Sequence, residues 1–171
     1  PIKGTARRFS NPFQDQKAIH ELMHCQKNRA ENIMIVDLLR NDFSRIAKTG
    51  SVSVDGLCQL ESYHSLHHLV SYVKAQRAED VSVISALLAC FPGASITGAP
   101  KLEAMRVIHE LEPFARGLYT GSIVYFSRHG RSDSSIAIRT MIARDENLIL
   151  SAGGGIVMDS TAQDEYDESR L

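Results

Sequence analysis

Past Pro12 the chain carries a helical pattern that runs to about Ile46. Apolar residues at Ile19, Leu22, Met23, Ala30, Ile33 and Met34 recur at three- and four-residue steps, the mark of one buried helix face, and the pattern continues through Leu38. Lys48-Thr49-Gly50 closes it. Val52, Val54, Leu57 and Leu60 then read as short strands around an Asp55-Gly56 turn, and residues 66–73 as a further strand. Asp80 is the expected cap of a helix that carries Val83, Ile84, Leu87 and Leu88 and ends before Pro92-Gly93. A second helix is expected from Pro100, with Leu102, Met105, Ile108 and Leu111 as its stripe and Pro113 as its stop. Residues 119–126, 136–143 and 148–152 are apolar at strand length. Their separators, Arg128-His129-Gly130-Arg131 and Asp145-Glu146-Asn147, are turn chemistry, so an antiparallel meander is predicted. Gly153-Gly154-Gly155 ends that sheet, and an acidic helix is expected over 162–170. The fold class is a mixed α+β layer structure.

A formal net charge of -1 gives no general pull toward nucleic acid or a phospholipid surface, so small molecules are the expected ligands. No apolar run approaches the roughly 20 residues of a membrane helix, and no signal peptide opens the sequence. Cys25, Cys58 and Cys90 are odd in number and widely spaced, which disfavours a disulfide framework or a zinc site and fits a reducing cytoplasm. The chain opens at Pro1 directly on a motif and stops at Leu171 within a charged helix. It is therefore expected to be a window on a longer protein.

Two constellations carry chemistry. Glu165 and Glu168 are three apart on the last predicted helix, so their carboxylates share a face, although acidic residues also suit a solvated helix start. The three glycines upstream let backbone N–H groups approach an anion, or simply make a tight turn. With Glu31 from the first helix, these carboxylates would suit a hard cation such as Mg²⁺. The second constellation is the small-residue loop 92–101, which feeds a helix N-terminus. It can receive a carboxylate or phosphate, with Ser95 and Thr97 as added donors, or serve as an ordinary cap. It lacks the ending of a P-loop. Three single residues complete the inventory. Lys3 lies between Ile2 and Gly4, and a lysine in apolar surroundings can act as nucleophile or base, though an exposed lysine is commoner. His67 and His68 face opposite sides of a strand, so one of them can enter a given site. Arg139 interrupts an apolar strand and needs a carboxylate or carbonyl partner, which a substrate carboxylate or an internal Asp or Glu would equally provide.

Pro1-Ile2-Lys3-Gly4-Thr5, the segment 29–42, His68-Leu69-Val70-Ser71, the loop 92–101 and Ser151-Ala152-Gly153-Gly154-Gly155-Ile156-Val157 together resemble the chorismate-using enzymes, in the family's order. These include anthranilate, isochorismate and aminodeoxychorismate synthases. Lys3 and the Ser-Ile-Thr-Gly-Ala-Pro-Lys loop resemble the aminodeoxychorismate branch, component I, since anthranilate synthases usually have Ala at the position of Lys3. The resemblance implies a large α/β protein of stacked antiparallel sheets with outer helices, of which residues 1–171 would be a C-terminal portion truncated at both ends. The family's general acid would lie upstream, and the isolated window is expected to be inactive.

By the same resemblance, Glu31 and Glu168 match magnesium carboxylates, and Glu165 a nearby acid acting through metal-bound water. Tyr119, Arg139, Gly153 and Gly155 match groups that hold substrate carboxylates, Ser95 a hydroxyl position, and His68 the active-site histidine. Asn28 stands where relatives often have an acid. In this branch Lys3 is expected to add covalently to the ring, after which ammonia from a glutamine amidotransferase subunit displaces it. The implied product is 4-amino-4-deoxychorismate, on the route to para-aminobenzoate and folate. The runner-up is anthranilate synthase component I, and a chorismate-binding module without turnover is the alternative outside the enzymes.

Overall fold

The computed structural model describes residues 1–158 and 160–170, with the backbone alone at Asp164 and Glu168. The chain divides into two units, Pro1–Met105 and Arg106–Leu171.

The first unit is built on a three-stranded antiparallel sheet of β1 (Ile2–Arg7), β2 (Ser53–Ser62) and β3 (Leu66–Lys74), in the order β1-β3-β2. Strand alternation puts His67, Leu69 and Ser71 on one face of the central strand and His68 and Val70 on the other. Two helices, α1 (Pro12–His24) and α2 (Gln26–Ser44), are tied to the first of these faces. Asn32 of α2 donates from Nδ2 to the Leu69 carbonyl (3.2 Å) and accepts from the Ser71 hydroxyl at Oδ1 (2.5 Å). Leu22, Ile35, Val36, Leu69 and Val70 are at most 6% exposed and form the core of this unit.

The predicted first helix is two helices. Asn11 caps α1 by accepting from Phe13 N and Gln14 N, and Pro12 fills the first position. Cys25 then leaves helical geometry (φ -66°, ψ 106°), with its N–H bonded to the Leu22 carbonyl, and α2 starts afresh at Gln26. The break shifts the phase of the apolar stripe. Met23, Ile33 and Met34, expected inside, are exposed, while Ile35, Val36, Asn32 and Asp42 are buried. The Asp55-Gly56 turn is also absent: both residues lie within β2, whose register against β3 slips around Gly56. Ser71 serves this irregularity by accepting from Cys58 N at 2.8 Å. The strand over 66–73 is β3. The expected cap at Asp80 is displaced to Ser82, which accepts from Ser85 N ahead of α3 (Val83–Cys90). A four-residue turn of helix, α4 (Ala94–Thr97), precedes α5 (Lys101–Leu111), whose stripe residues Leu102, Met105 and Leu111 are exposed.

A buried polar chain joins α1 to the sheet. His67, 0% exposed, donates from Nε2 to Asp15 Oδ1 (3.1 Å) and meets the Ser62 hydroxyl at Nδ1 (2.7 Å). The Phe9 N–H also donates to Asp15 (2.9 Å), and Arg8 lies 3.7 Å away. The Phe9 hydrogen bond foremost, then that from His67, holds the Asp15 carboxyl below the usual carboxylate range, against an opposing effect of burial. A depressed folded-state value means stability that is full above about pH 3.9 and lost as pH falls through the lower folded value. Urea midpoints measured down through this acid range should therefore fall less steeply for Asp15→Asn than for wild type. Parallel curves would contradict this role.

The second unit contains two hairpins and a helix: β4 (Ser122–Phe126) with β5 (Ser132–Ile136), β6 (Met141–Arg144) with β7 (Asn147–Leu150), and α6 (Ala162–Ser169). Both predicted turns are present. The single strand expected over 136–143 is not, because the chain bends at residues 138–140. Ala137 ends the first ladder by exchanging bonds with Thr120 and Gly121, each 2.9 Å, and Arg139 takes a left-handed φ of 51°, away from the extended backbone of a regular strand. The meander is thus replaced by two separate two-stranded sheets. The chain as a whole mixes helices with antiparallel sheets, as predicted. Among the described residues no single helix is long and apolar enough to cross a membrane.

Candidate active site

In the first unit the candidate residues gather around a bulge in β1. Ile2 pairs with Val70 and Thr5 with His68, so β1 holds one more residue than β3 across this interval. The extra residue is accommodated at Lys3-Gly4, where Gly4 takes φ 95°. A Cβ on Gly4 would stand 3.0 Å from Asn28 Nδ2 and 3.1 Å from Leu22 Cδ1. Only glycine meets both demands, the left-handed backbone and the close approach of α1 and α2. The bulge delivers Lys3 to α2: its Nζ lies 3.4 Å from Glu31 Oε2, with the side chains 22% and 12% exposed. Lys3 and Glu31, singled out separately in the sequence, are therefore neighbours. His68 stands on the central strand across from Thr5, its Nδ1 2.9 Å from the Thr5 hydroxyl and its ring edge-on to Tyr63. Tyr63 and Tyr72 both donate to Glu61, opposite His68, and hold that carboxyl below the usual range.

The loop 92–101 differs from the open anion cradle that its composition allows. Thr97 returns its hydroxyl to the Gly93 carbonyl (3.5 Å), and Lys101 is committed to Asp42 at 2.6 Å, with side chains 17% and 5% exposed. Ser95 lies half-buried in α4. Burial, and then the Asp42 charge, push the nearby Cys90 thiol up. Sequence reasoning missed both Asp42 and Asn32. Each sits in the quoted segment 29–42, but polar residues in a helical pattern read as its solvent face.

In the second unit, Tyr119 sits in the turn before β4, with the Arg116 guanidinium 5.9 Å from its ring centroid. Arg116 makes a two-pronged pair with Glu112 (2.8 and 2.5 Å), which holds the Glu112 carboxyl below its usual value. No pattern in the sequence marked this brace. Gly153 packs so closely that a Cβ there would stand 3.0 Å from the Tyr119 hydroxyl. Next to it, a Cβ on Gly154 would stand 2.8 Å from Glu165 Oε2. Glu165 is 8% exposed and accepts from the Ser160 hydroxyl at Oε1 (2.5 Å). Gly155 is half-buried in the same glycine run. Arg139 corrects its prediction: it stands exposed between the two hairpins rather than inside a strand, and its guanidinium has no partner among the described residues. It therefore needs no internal acid. The Glu168 side chain lies outside the described residues, and among those described no group of three His, Cys, Asp or Glu side chains converges on a metal position. The carboxylate donors Glu31 and Glu165 are both largely buried and of the hard-oxygen type that Mg²⁺ takes, and the side-chain-free cradle of Gly154 lies against Glu165.

Aminodeoxychorismate synthase component 1 of Escherichia coli (strain K12) is 50% identical across 99% of this chain, which covers 37% of that relative. Anthranilate synthase component 1 of Bacillus caldotenax is 46% identical across 99% of the chain, which covers 34% of it. Among solved structures, anthranilate synthase component I from Streptococcus pneumoniae matches with a TM-score of 0.85 at 38% identity, over 98% of this chain and 40% of its own length. The chain thus spans little more than a third of the length of these two curated relatives, 37% and 34%. The family model described as chorismate binding enzyme matches residues 1–171, the whole span over which the opening lysine motif, the α2 segment, the loop and the glycine run occur in order, and the chain belongs to that family.

Proposed function

We propose that the protein carrying this chain aminates chorismate with ammonia to 4-amino-4-deoxychorismate in the cytoplasm, with a glutamine amidotransferase subunit as the ammonia source. The observation that carries this reading is Lys3, held by the β1 bulge 3.4 Å from Glu31. Identity of 50% to an aminodeoxychorismate synthase component 1 supports it. The three cysteines are free, in keeping with a reducing compartment.

Chorismate carries two carboxylates, and the chain offers a receptor for each kind of contact. Arg139, exposed and unpaired with any described side chain, can grip one carboxylate with two parallel hydrogen bonds. The Tyr119 hydroxyl and the N–H groups of Gly153 and Gly155 can add donors, and the Ser95 hydroxyl is a further candidate donor. Lys3 forms the bond to the ring as the ring hydroxyl departs as water. Ammonia then forms the new carbon–nitrogen bond and the lysine amine is released, so that the nucleophile is regenerated. His68, oriented by Thr5, is available to carry a proton. Glu31 and Glu168, with Glu165 through water, would hold Mg²⁺, which when bound supplies Lewis-acid polarisation of the departing hydroxyl.

A second reading, anthranilate synthase, draws on the 46% identity to such an enzyme. Incubating the full-length protein with chorismate, Mg²⁺ and an ammonium salt separates the two. The amination reading expects no anthranilate fluorescence while chorismate is consumed, whereas accumulating anthranilate would establish the alternative.

The magnesium assignment makes its own prediction. Gly154→Ala places a methyl 2.8 Å from the Glu165 carboxylate, so the carboxylate has to move. Outer contacts of a metal site typically cost 10–100-fold in affinity, so half-maximal activity should require on the order of tenfold more Mg²⁺. An unchanged Mg²⁺ titration curve in Gly154→Ala would count against Glu165 in the site.

A further inference from the structure

Along α1 the sequence reads His20-Glu21-Leu22-Met23-His24. Residues four apart on a helix project from one face, one above the other. Leu22, between them, is buried at 4% exposure, while both histidines are exposed. Their imidazoles stack, with ring centroids 4.1 Å apart and planes inclined by 24°. His24 Nδ1 lies 2.8 Å from the His20 carbonyl oxygen. A carbonyl only accepts, so Nδ1–H donates, and the lone pair of the neutral ring falls on Nε2. This is how metal-ligating histidines are normally prepared: one ring N–H is spent on a carbonyl, which fixes the tautomer and the ring orientation, and the other nitrogen faces the ion.

The geometry points to His20 and His24 as a binding site for a divalent transition cation of the zinc class on the solvent face of α1, with water or an external ligand completing the coordination. Imidazole nitrogen suits Zn²⁺, Cu²⁺ and Ni²⁺, whereas Mg²⁺ takes oxygen, so this site is chemically separate from the carboxylates assigned to magnesium. Zinc–nitrogen bonds of about 2.0–2.1 Å need the two ring nitrogens closer together than stacked rings 4.1 Å apart bring them, and exposed imidazoles can tilt to meet the ion. The pair has the spacing of the His-Glu-x-x-His helix motif. Glu21, the position that serves as general base in hydrolases of that kind, is 65% exposed and pairs with Lys17 at 3.7 Å, and no third described ligand joins the histidines. Cation binding, without a hydrolytic step, is what the arrangement supports.

The test uses untagged full-length protein in excess Mg²⁺, titrated calorimetrically with ZnCl₂ and, separately, followed by electron paramagnetic resonance with CuSO₄. The expected result is one high-affinity equivalent whose affinity falls at least tenfold in His20→Ala and in His24→Ala, with unchanged circular dichroism. Two equatorial nitrogen couplings to copper should be reduced to one in each variant, and Glu31→Gln should leave both signals intact. Zinc affinity and copper spectra identical in wild type and both histidine variants would overturn the site, as would loss of binding in Glu31→Gln alone.

Discussion

Replacing Lys3 with alanine is expected to cut amination by at least about a hundredfold, about 2.7 kcal/mol of transition-state stabilisation, while chorismate and Mg²⁺ still bind. The β1 bulge fixes the lysine against Glu31 and leaves it only 22% exposed. As a nucleophile, its loss removes the covalent route but spares the groups that grip the substrate. Were Lys3 outside the chemistry, kcat should stay within about twofold of wild type. Steady-state comparison of the two proteins decides between these values. Intact-mass analysis of wild type with chorismate but no ammonia adds an independent reading, since a lysine adduct should accumulate. Near-normal amination by Lys3→Ala with no adduct in wild type would exclude the covalent role.

The second large effect concerns folding. Asp42 near the end of α2 and Lys101 at the start of α5 pair at 2.6 Å with little exposure of either. Removing one member strands the other as a buried charge, which typically costs about 3–5 kcal/mol, whereas replacing both with apolar residues of similar size is often neutral or better. Asp42→Leu alone should therefore lower stability by about 3 kcal/mol in urea denaturation. Asp42→Leu with Lys101→Met should recover most of it. A single-variant loss below about 1 kcal/mol, or a double variant no better than the single one, would show that the pair behaves as a surface ion pair.

The elements legible in the sequence are those whose signal is local. The hairpin turns at 128–131 and 145–146, the strand β3, and the helices α3, α5 and α6 follow from periodicity and from proline, glycine and turn residues. What escaped is set by tertiary contacts. The division between α1 and α2 falls at Cys25, which is neither glycine nor proline, and nothing in the pattern announces its extended backbone. Arg139 was legible as an unusual charge in an apolar run, but not as a left-handed bend, because non-glycine residues reach positive φ only where the surroundings impose it. Asn32 and Asp42 read as solvent-facing and are buried, because their polar atoms find partners on β3 and α5.

For the candidate site, the separate residues were legible and their grouping was not. Lys3 and Glu31 stood out for different reasons, and only the Gly4 bulge brings them to 3.4 Å. The glycine run was legible as a place of close approach. Its neighbours, the Tyr119 hydroxyl and the Glu165 carboxylate, are fixed by the packing of the second unit.

The amination reading is tested most directly by supplying [¹⁵N]ammonium with chorismate and Mg²⁺ to the full-length protein and following the label by mass spectrometry. The prediction is chorismate consumed, the label in 4-amino-4-deoxychorismate, and no release of pyruvate. Label recovered in anthranilate together with pyruvate, or chorismate left unchanged, would contradict it.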